Sequence, residues 1–202
     1  MLHITFVLDV PACSGFRLLE IVDTVTQDLT DEIALCLGDG NAKVRRAAFR
    51  LADRLRDERL IEVLRDFAGK RDLNLAKGAI RCMARLHCDA ASAALVSVLN
   101  ATKHPEIAAA CCRELGQLEG PIAVDTLGRV LRARNRLALG RRWGSQVRAT
   151  AGLALLQIGN TRAKQTLERF AKDRDARVRR IASSASGGGP PPRLADLGDE
   201  EP

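Results

Sequence analysis

Aromatic residues are scarce in this sequence: among 202 residues there are five Phe, one Trp and no Tyr. Because 46% of the residues are nonetheless hydrophobic, the core must be built from Ala, Leu, Ile and Val, and there is enough of it for one domain or a short repeat array. Disorder throughout the chain is excluded. Long apolar runs are missing too, since Arg, Lys, Asp or Glu interrupts every stretch well short of the roughly 18 residues that span a bilayer, so no membrane span is expected. Histidine is limited to His3, His87 and His104, and the six cysteines, at 13, 36, 82, 88, 111 and 112, include no C-x-x-C pair. A zinc site needs thiolates and imidazoles that converge as a tetrahedron. With that spacing absent, neither a metal nor a cofactor is expected.

The absences extend to catalytic motifs. There is no Gly-rich phosphate loop, no G-x-S-x-G, and no Ser, His and Asp set at usable spacing. Gly38-Asp39-Gly40 reads as a turn that ends a helix. The chain is therefore expected not to be an enzyme. Most cysteines lie among Ala and Leu, where a free thiol acts as a small buried hydrophobe, which points to reduced thiols and a cytoplasmic location. The vicinal Cys111 and Cys112 point about 100° apart on a helix, which favours packing over redox chemistry.

What is present is positive charge and repetition. The formal charge is +7. The segment 187–202 holds Arg193 against Asp196, Asp199, Glu200 and Glu201, so without these five charges the body rises from +7 to +10. A basic body favours acidic partners. At the other end, residues 1–14 lack a basic leader and place Asp9 where a signal peptide needs an apolar residue, so they read as a short strand or irregular cap.

Between these ends the chain repeats. Short apolar and small-residue patterns begin at Val44, Leu75, Ile107, Val147 and Val178, at intervals of 31, 32, 40 and 31 residues. A period near 31 signals stacked helical hairpins, none of which buries its own face alone. Apolar residues follow each of the first four anchors at +4 (Ala48, Ala79, Cys111, Ala151), +8 (Ala52, Met83, Leu115, Leu155) and +11 (Leu55, Leu86, Leu118, Ile158), one face of a helix. Small residues at +3 and +4 allow neighbouring helices to approach closely. Shorter helices are predicted at 58–68, 91–100, 122–131 and 163–171. Asp57, Asp89, Pro121, Asp72, Asp175 and Pro105 stand where caps or first turns belong, which gives them structural roles. Helices at 16–27 and 30–37 form an incomplete first pair, and the ordered array is expected over 15–183. The Gly- and Pro-rich acidic tail, 184–202, is expected to be disordered. The C-terminal end shows no evidently polar capping repeat, which leaves open continuation into a longer array or a partner.

The pattern Asp39-x-x-x-x-Val44-Arg45-x-Ala47-Ala48-x-x-Leu51, echoed in Asp173-x-x-x-x-Val178-Arg179-x-Ile181-Ala182, resembles the bacterial HEAT-like repeat family. The resemblance implies an all-α fold, a right-handed α–α superhelix (a HEAT-like, armadillo-like solenoid) of about five helical hairpins. It also implies structural ladder pairs between Asp39 and Arg45 and between Asp173 and Arg179. The middle repeats, with Ala76, Ala108 and Arg148 at the Arg position and no acidic residue six before, imply a broken ladder. Three HEAT-like groups perform chemistry. Deoxyhypusine hydroxylases use His-Glu dipeptides as iron ligands, and this chain has none. Nothing in it marks a bilin site of the phycobilin lyase type. DNA glycosylases need aromatic residues around an extruded base, for which Trp143 alone is little.

In this fold the second helix of each unit lines the concave surface. Opposite its core stripe, at +2, +6 and +10, stand Arg46, Arg50 and Arg54, then Lys77, Arg81 and Arg85, then Ala109, Arg113 and Gln117. Residues four apart share a helical face, so seven cations form three adjacent ridges; the fourth unit, with Ala149, Leu153 and Gln157, ends the stripe. Such a trough attracts an acidic partner, although Arg and Lys are also good helix formers on any solvated face. The nine-residue excess between Ile107 and Val147 falls within 131–144, a segment that carries Arg132, Arg134, Arg136, Arg141, Arg142 and Trp143, a combination suited to phosphate contact or a protein hot spot. The expected function is a non-enzymatic adaptor or scaffold for an acidic protein surface. The alternatives are sequence-independent nucleic-acid binding and service as an accessory, lyase-like subunit of an enzyme.

Overall fold

Apolar residues at helical spacing, interrupted by caps, fold each repeat into a helical hairpin. The computed structural model describes residues 29–133 and 143–187, and the regular elements within them are all α-helices. They are α1 (29–37), α2 (Ala42–Leu55), α3 (Leu60–Ala68), α4 (Leu73–Arg85) and α5 (Asp89–Ala101). After these come α6 (Pro105–Leu118), α7 (Pro121–Arg132), α8 (Ser145–Ile158), α9 (Thr161–Glu168) and α10 (Ala176–Gly187). None of these helices is long and apolar enough to cross a membrane. The helix α10 runs four residues past the array boundary expected at 183, because Ser183 and Ser184 return their hydroxyls to the carbonyls of Arg179 and Arg180 rather than ending the helix. The remainder of the tail and the segment 1–14 lie outside the described residues, as does the helix expected at 16–27.

The chain divides into two compact units, residues 1–48 and 49–202. In the first, α1 buries Ile33 and Leu37, and Asp39 accepts a hydrogen bond from Asn41 N at 2.6 Å where α2 begins. In the second, α3 pairs with α4, α5 with α6, α7 with α8 and α9 with α10. The second helices stack in the order α4, α6, α8, α10 and the first helices in the order α3, α5, α7, α9. This two-layer arrangement is the all-α superhelix expected from the repeat.

The +4 and +8 positions carry the core. Ala79, Met83, Cys111, Leu115, Ala151 and Leu155 are all fully buried. Facing them from the first-helix layer are Leu60, Leu64, Leu95, Leu99, Leu127 and Leu131, each worth about 1.5–3 kcal/mol of apolar burial. Small residues set the seams between the stacked second helices. A Cβ on Gly116 of α6 would lie 2.8 Å from Ala154 Cβ and 3.0 Å from Ala154 Cα on α8. A Cβ on Gly152 of α8 would meet Ile181 of α10 at 3.2 Å, and one on Gly78 of α4 would meet the Phe49 ring at 2.8 Å.

Most caps fall where the pattern places them. Asp72 accepts from Asn74 N and Leu75 N to start α4, Asp175 accepts from Arg177 N to start α10, and Pro105 and Pro121 open α6 and α7. The start of α5 differs, because Cys88 and not Asp89 has the extended backbone of a cap and takes the Ala91 N–H on its sulfur at 3.4 Å. Asp57 caps a preliminary turn through Arg59 N, so α3 begins at Leu60.

The polar ladder also differs from the expectation. Arg45 and Arg179 donate to the backbone carbonyls of Asp39 and Asp173, each at 2.8 Å, so each closes its own turn. Arg148, expected to lack an acidic partner, reaches forward by 25 residues to Asp173 at 2.9 Å and by 27 to Asp175 at 3.2 Å. Its Nε donates to Leu131 O at 3.0 Å, which satisfies a carbonyl that the end of α7 would leave orphaned. The sequence rule looked six residues back, whereas stacking brings the next repeat's turn against α8.

Two outcomes follow for stability measured by chemical denaturation. Gly116→Val should destabilise the protein by about 1–3 kcal/mol, because Ala154 Cα and the Cβ fixed to it cannot rotate away. Arg148→Ala should cost about 3–5 kcal/mol, since Asp173 is only 2% exposed and its buried charge would lose the guanidinium that faces it.

Candidate functional site

The cations predicted to line up stand on the side of the second helices away from the core. Arg46, Arg50 and Arg54 on α2, Arg81 and Arg85 on α4 and Arg113 on α6 are exposed, and Lys77 is half-buried. Arg46 belongs to the first compact unit and the others to the second. The stripe ends at α8, where Ala149 is buried and Leu153 half-buried.

The seven cations are not equivalent. Lys77 is ion-paired with Glu106 of α6, and Arg85 with Asp53 of α2. Both pairs cross from one hairpin to the next, so they neutralise part of the ridge, and being exposed they add little stability. Arg50, Arg54, Arg81 and Arg113 form no hydrogen bond or ion pair among the described residues. Within the second unit these four are the charge still available to a partner, and Arg46 of the first unit is likewise exposed and in no ion pair among the described residues. On α6, Lys77 holds the Glu106 carboxyl below its usual range through a hydrogen bond and its charge.

A buried carboxyl, overlooked by sequence reasoning, sits behind this ridge. Glu114 of α6 is buried, and its Oε2 has no hydrogen-bond partner. Burial pushes its carboxyl above the ordinary value, against the opposing pull of Arg81, Arg113 and Arg85. Beside it, burial and the neighbouring Cys112 and Glu114 raise the Cys111 thiol, and burial raises Cys112 to about 12. Cys82 is raised by burial and by its hydrogen bond to Asp53. Thiols so placed are protonated packing groups.

The insertion shows only its two ends. Arg132 closes α7 and is exposed, while Trp143, half-buried, lines a cleft of about 210 Å³ with Asn100, Thr126 and Arg129. Arg134, Arg136, Arg141 and Arg142 lie outside the described residues. On the same layer Arg129 donates to Thr126 at 3.0 Å, and Arg162 of α9 grips both oxygens of Asp125 of α7 at 2.7 and 2.8 Å.

Residues 93–187 match the family model of HEAT repeats. This segment is therefore similar to a run of HEAT repeats. No curated protein matches the sequence. Among solved structures, the complex of CpcE and CpcF of phycocyanin lyase from Nostoc sp. PCC7120 is similar at 15% identity, over 92% of this chain and 68% of that one, with a TM-score of 0.50. Human deoxyhypusine hydroxylase in complex with glycerol matches at 16% identity, over 80% of this chain and 73% of that one, with a TM-score of 0.46. At 15% identity the likeness to the CpcE–CpcF complex is one of fold.

The HEAT-like stacking explains why Glu114 escapes a linear reading. At +7 from Ile107 it falls between the core stripe and the cation stripe, and the packing of α6 within the array buries it. Its raised value has a definite consequence for pH. The native state holds a proton that the unfolded state has lost, so stability falls as pH rises from the ordinary carboxyl range through the folded value. Glu114→Gln should therefore be more stable than the parent at pH 7, and the difference in thermal midpoint should close towards pH 4. An unchanged gap across that range would show that the carboxyl finds a compensating partner.

Proposed function

We propose that this HEAT-like array is a non-enzymatic adaptor that binds an acidic protein surface along α2, α4 and α6. The observation that carries the reading is the set Arg50, Arg54, Arg81 and Arg113, exposed and in no ion pair among the described residues. Like charges on adjacent helices repel unless a partner of opposite sign arrives, and an acidic surface would engage them by charge-assisted hydrogen bonds, which Arg makes bidentately. A protein partner is also in keeping with the similar CpcE–CpcF structure, itself a complex of two chains. The rim position of these cations makes association, more than final tightness, the property they govern.

Sequence-independent nucleic-acid binding would use the same cations, but the face supplies no aromatic side chain at its +2, +6 and +10 positions to stack on bases. Service as an accessory subunit of an enzyme is a special case of the adaptor reading, in which the partner performs the chemistry.

The test is affinity capture with the full chain, with and without nuclease, followed by the same capture with Arg50→Glu, Arg54→Glu, Arg81→Glu and Arg113→Glu combined. A nuclease-resistant protein whose binding falls at least about tenfold in the combined variant is the expected result. Material lost on nuclease treatment, with affinity that falls log-linearly with salt, would replace the adaptor with nucleic-acid binding.

A further inference from the structure

We propose that the cleft where the α3–α4 turn meets the α5–α6 turn is a binding site for a small polyphosphate ligand. It lies on the turn edge of two successive repeats and is built independently of the Arg50, Arg54, Arg81 and Arg113 face. The cleft encloses about 670 Å³, within the range of small-molecule sites. Arg65, Lys70, Arg71, Lys103 and His104 line it, against Asp66 as the single carboxylate.

The charge there is uncompensated. Arg65 is ion-paired with Glu62, but Arg71 and Lys103 make no hydrogen bond or ion pair among the described residues, and Lys70 only overhangs the Phe67 ring at 6.0 Å. Arg71 and Lys103 are also equivalent by repeat, each standing four residues before its anchor, Leu75 and Ile107. Stacking therefore brings the same cationic position of two units to one concavity. Lys70, Arg71 and Lys103, three cations without an ion pair around one concavity, repel one another, and a multiply charged anion is the simplest species that reverses the sign of that interaction. Arg71 supplies a planar fork for two phosphate oxygens, and Lys70 and Lys103 act as point charges.

The opening turn of α6 adds donors. Pro105 is its first residue, and His104 at the cap gives no side-chain hydrogen bond to the N–H groups that follow, so that end of the helix favours an anion. The one acid of that turn, Glu106, is held by Lys77. Thr102 Oγ1 accepts from His104 N at 3.1 Å and keeps its own O–H to donate.

Shape and lining favour a small ligand over a polymer. The floor is aliphatic, with Val98, Ala101 and Ile107, and no Phe, Tyr or Trp lines the cleft. A bound single strand needs stacking platforms and a groove that tracks its backbone, whereas this is one bounded concavity. An aliphatic floor under a cationic wall suits a phosphate ester whose organic part rests on Val98 and Ile107.

Isothermal titration of the full chain with inorganic triphosphate tests the site, with ATP as a second arm. Saturable binding of one triphosphate per chain is expected, weakened at least about tenfold by Arg71→Ala with Lys103→Ala and left within about twofold by Arg50→Ala with Arg81→Ala. ATP should compete for the same site and respond to the same substitutions. Tighter binding of ATP would identify an ester as the ligand, and equal binding would identify the bare polyphosphate. Should the double variant fail to fold, Lys103→Gln alone, at an exposed and unpaired side chain, should still weaken binding about threefold. The proposal is overturned by absent saturation in the millimolar range, by equal weakening in both double variants, or by an oligonucleotide without terminal phosphate that displaces triphosphate at lower concentration. Because the Arg50 and Arg81 variant disturbs only the adaptor face, failure of either reading leaves the other intact.

Discussion

Close approach of the second helices is the constraint on which the second unit depends. Gly116 against Ala154, Gly152 against Ile181 and Gly78 against the Phe49 ring leave no room for an added methyl group without movement. A hairpin of two short helices cannot bury its apolar stripe alone, and only tight seams let each repeat complete the core of the next. Away from these seams, Arg and Lys at +2, +6 and +10 stand on the solvent side, where they form one basic face instead of scattered charges.

Burial then sorts the charged groups into three environments. Deep between repeats, Arg148 is held by Asp173, Asp175 and the Leu131 carbonyl, and each partner is needed because an unpaired charge there would cost several kcal/mol. On the helix face, Lys77 and Arg85 are partnered across hairpins by Glu106 and Asp53, while four arginines are left open to solvent. At the turn edge, Lys70, Arg71 and Lys103 surround a cleft with one carboxylate beside them. Of these, only the second and third leave charge available for recognition. Glu114 lies between the first two, with Oε2 buried and without a hydrogen bond, and close to the arginines that oppose the rise of its carboxyl.

A scaffold of this kind separates structure from recognition. The core residues Met83, Leu115 and Leu155 come from positions that every repeat shares, so they hold the array together without distinguishing one repeat from another. Distinction resides in the residues that differ between repeats: the cations that stop at Ala149 and Leu153, the paired basic turns of the first two complete hairpins, and the insertion that ends in Trp143. Trp143 and Arg132 mark the ends of that insertion, and Trp143 lines its own small cleft.

The period near 31 residues, the +4 and +8 core positions and most caps were legible in the sequence, because helix geometry ties spacing directly to a face. The exposed side of the Arg46, Arg50 and Arg54 ridge followed from the same rule. What the linear pattern could not reveal was everything that depends on the neighbouring repeat. Cys88 takes the cap that Asp89 seemed to hold because the backbone, and not the residue type, decides which position is extended. Arg148 finds its acids 25 and 27 residues ahead, Lys77 and Arg85 are neutralised by residues 29 and 32 positions away, and Glu114 loses its solvent only when the repeats pack. The sequence by itself determined the hairpins, because local spacing and caps suffice for a helix. The tertiary structure decided which charges are paired, buried or open, because those outcomes depend on distances between repeats that no single period contains.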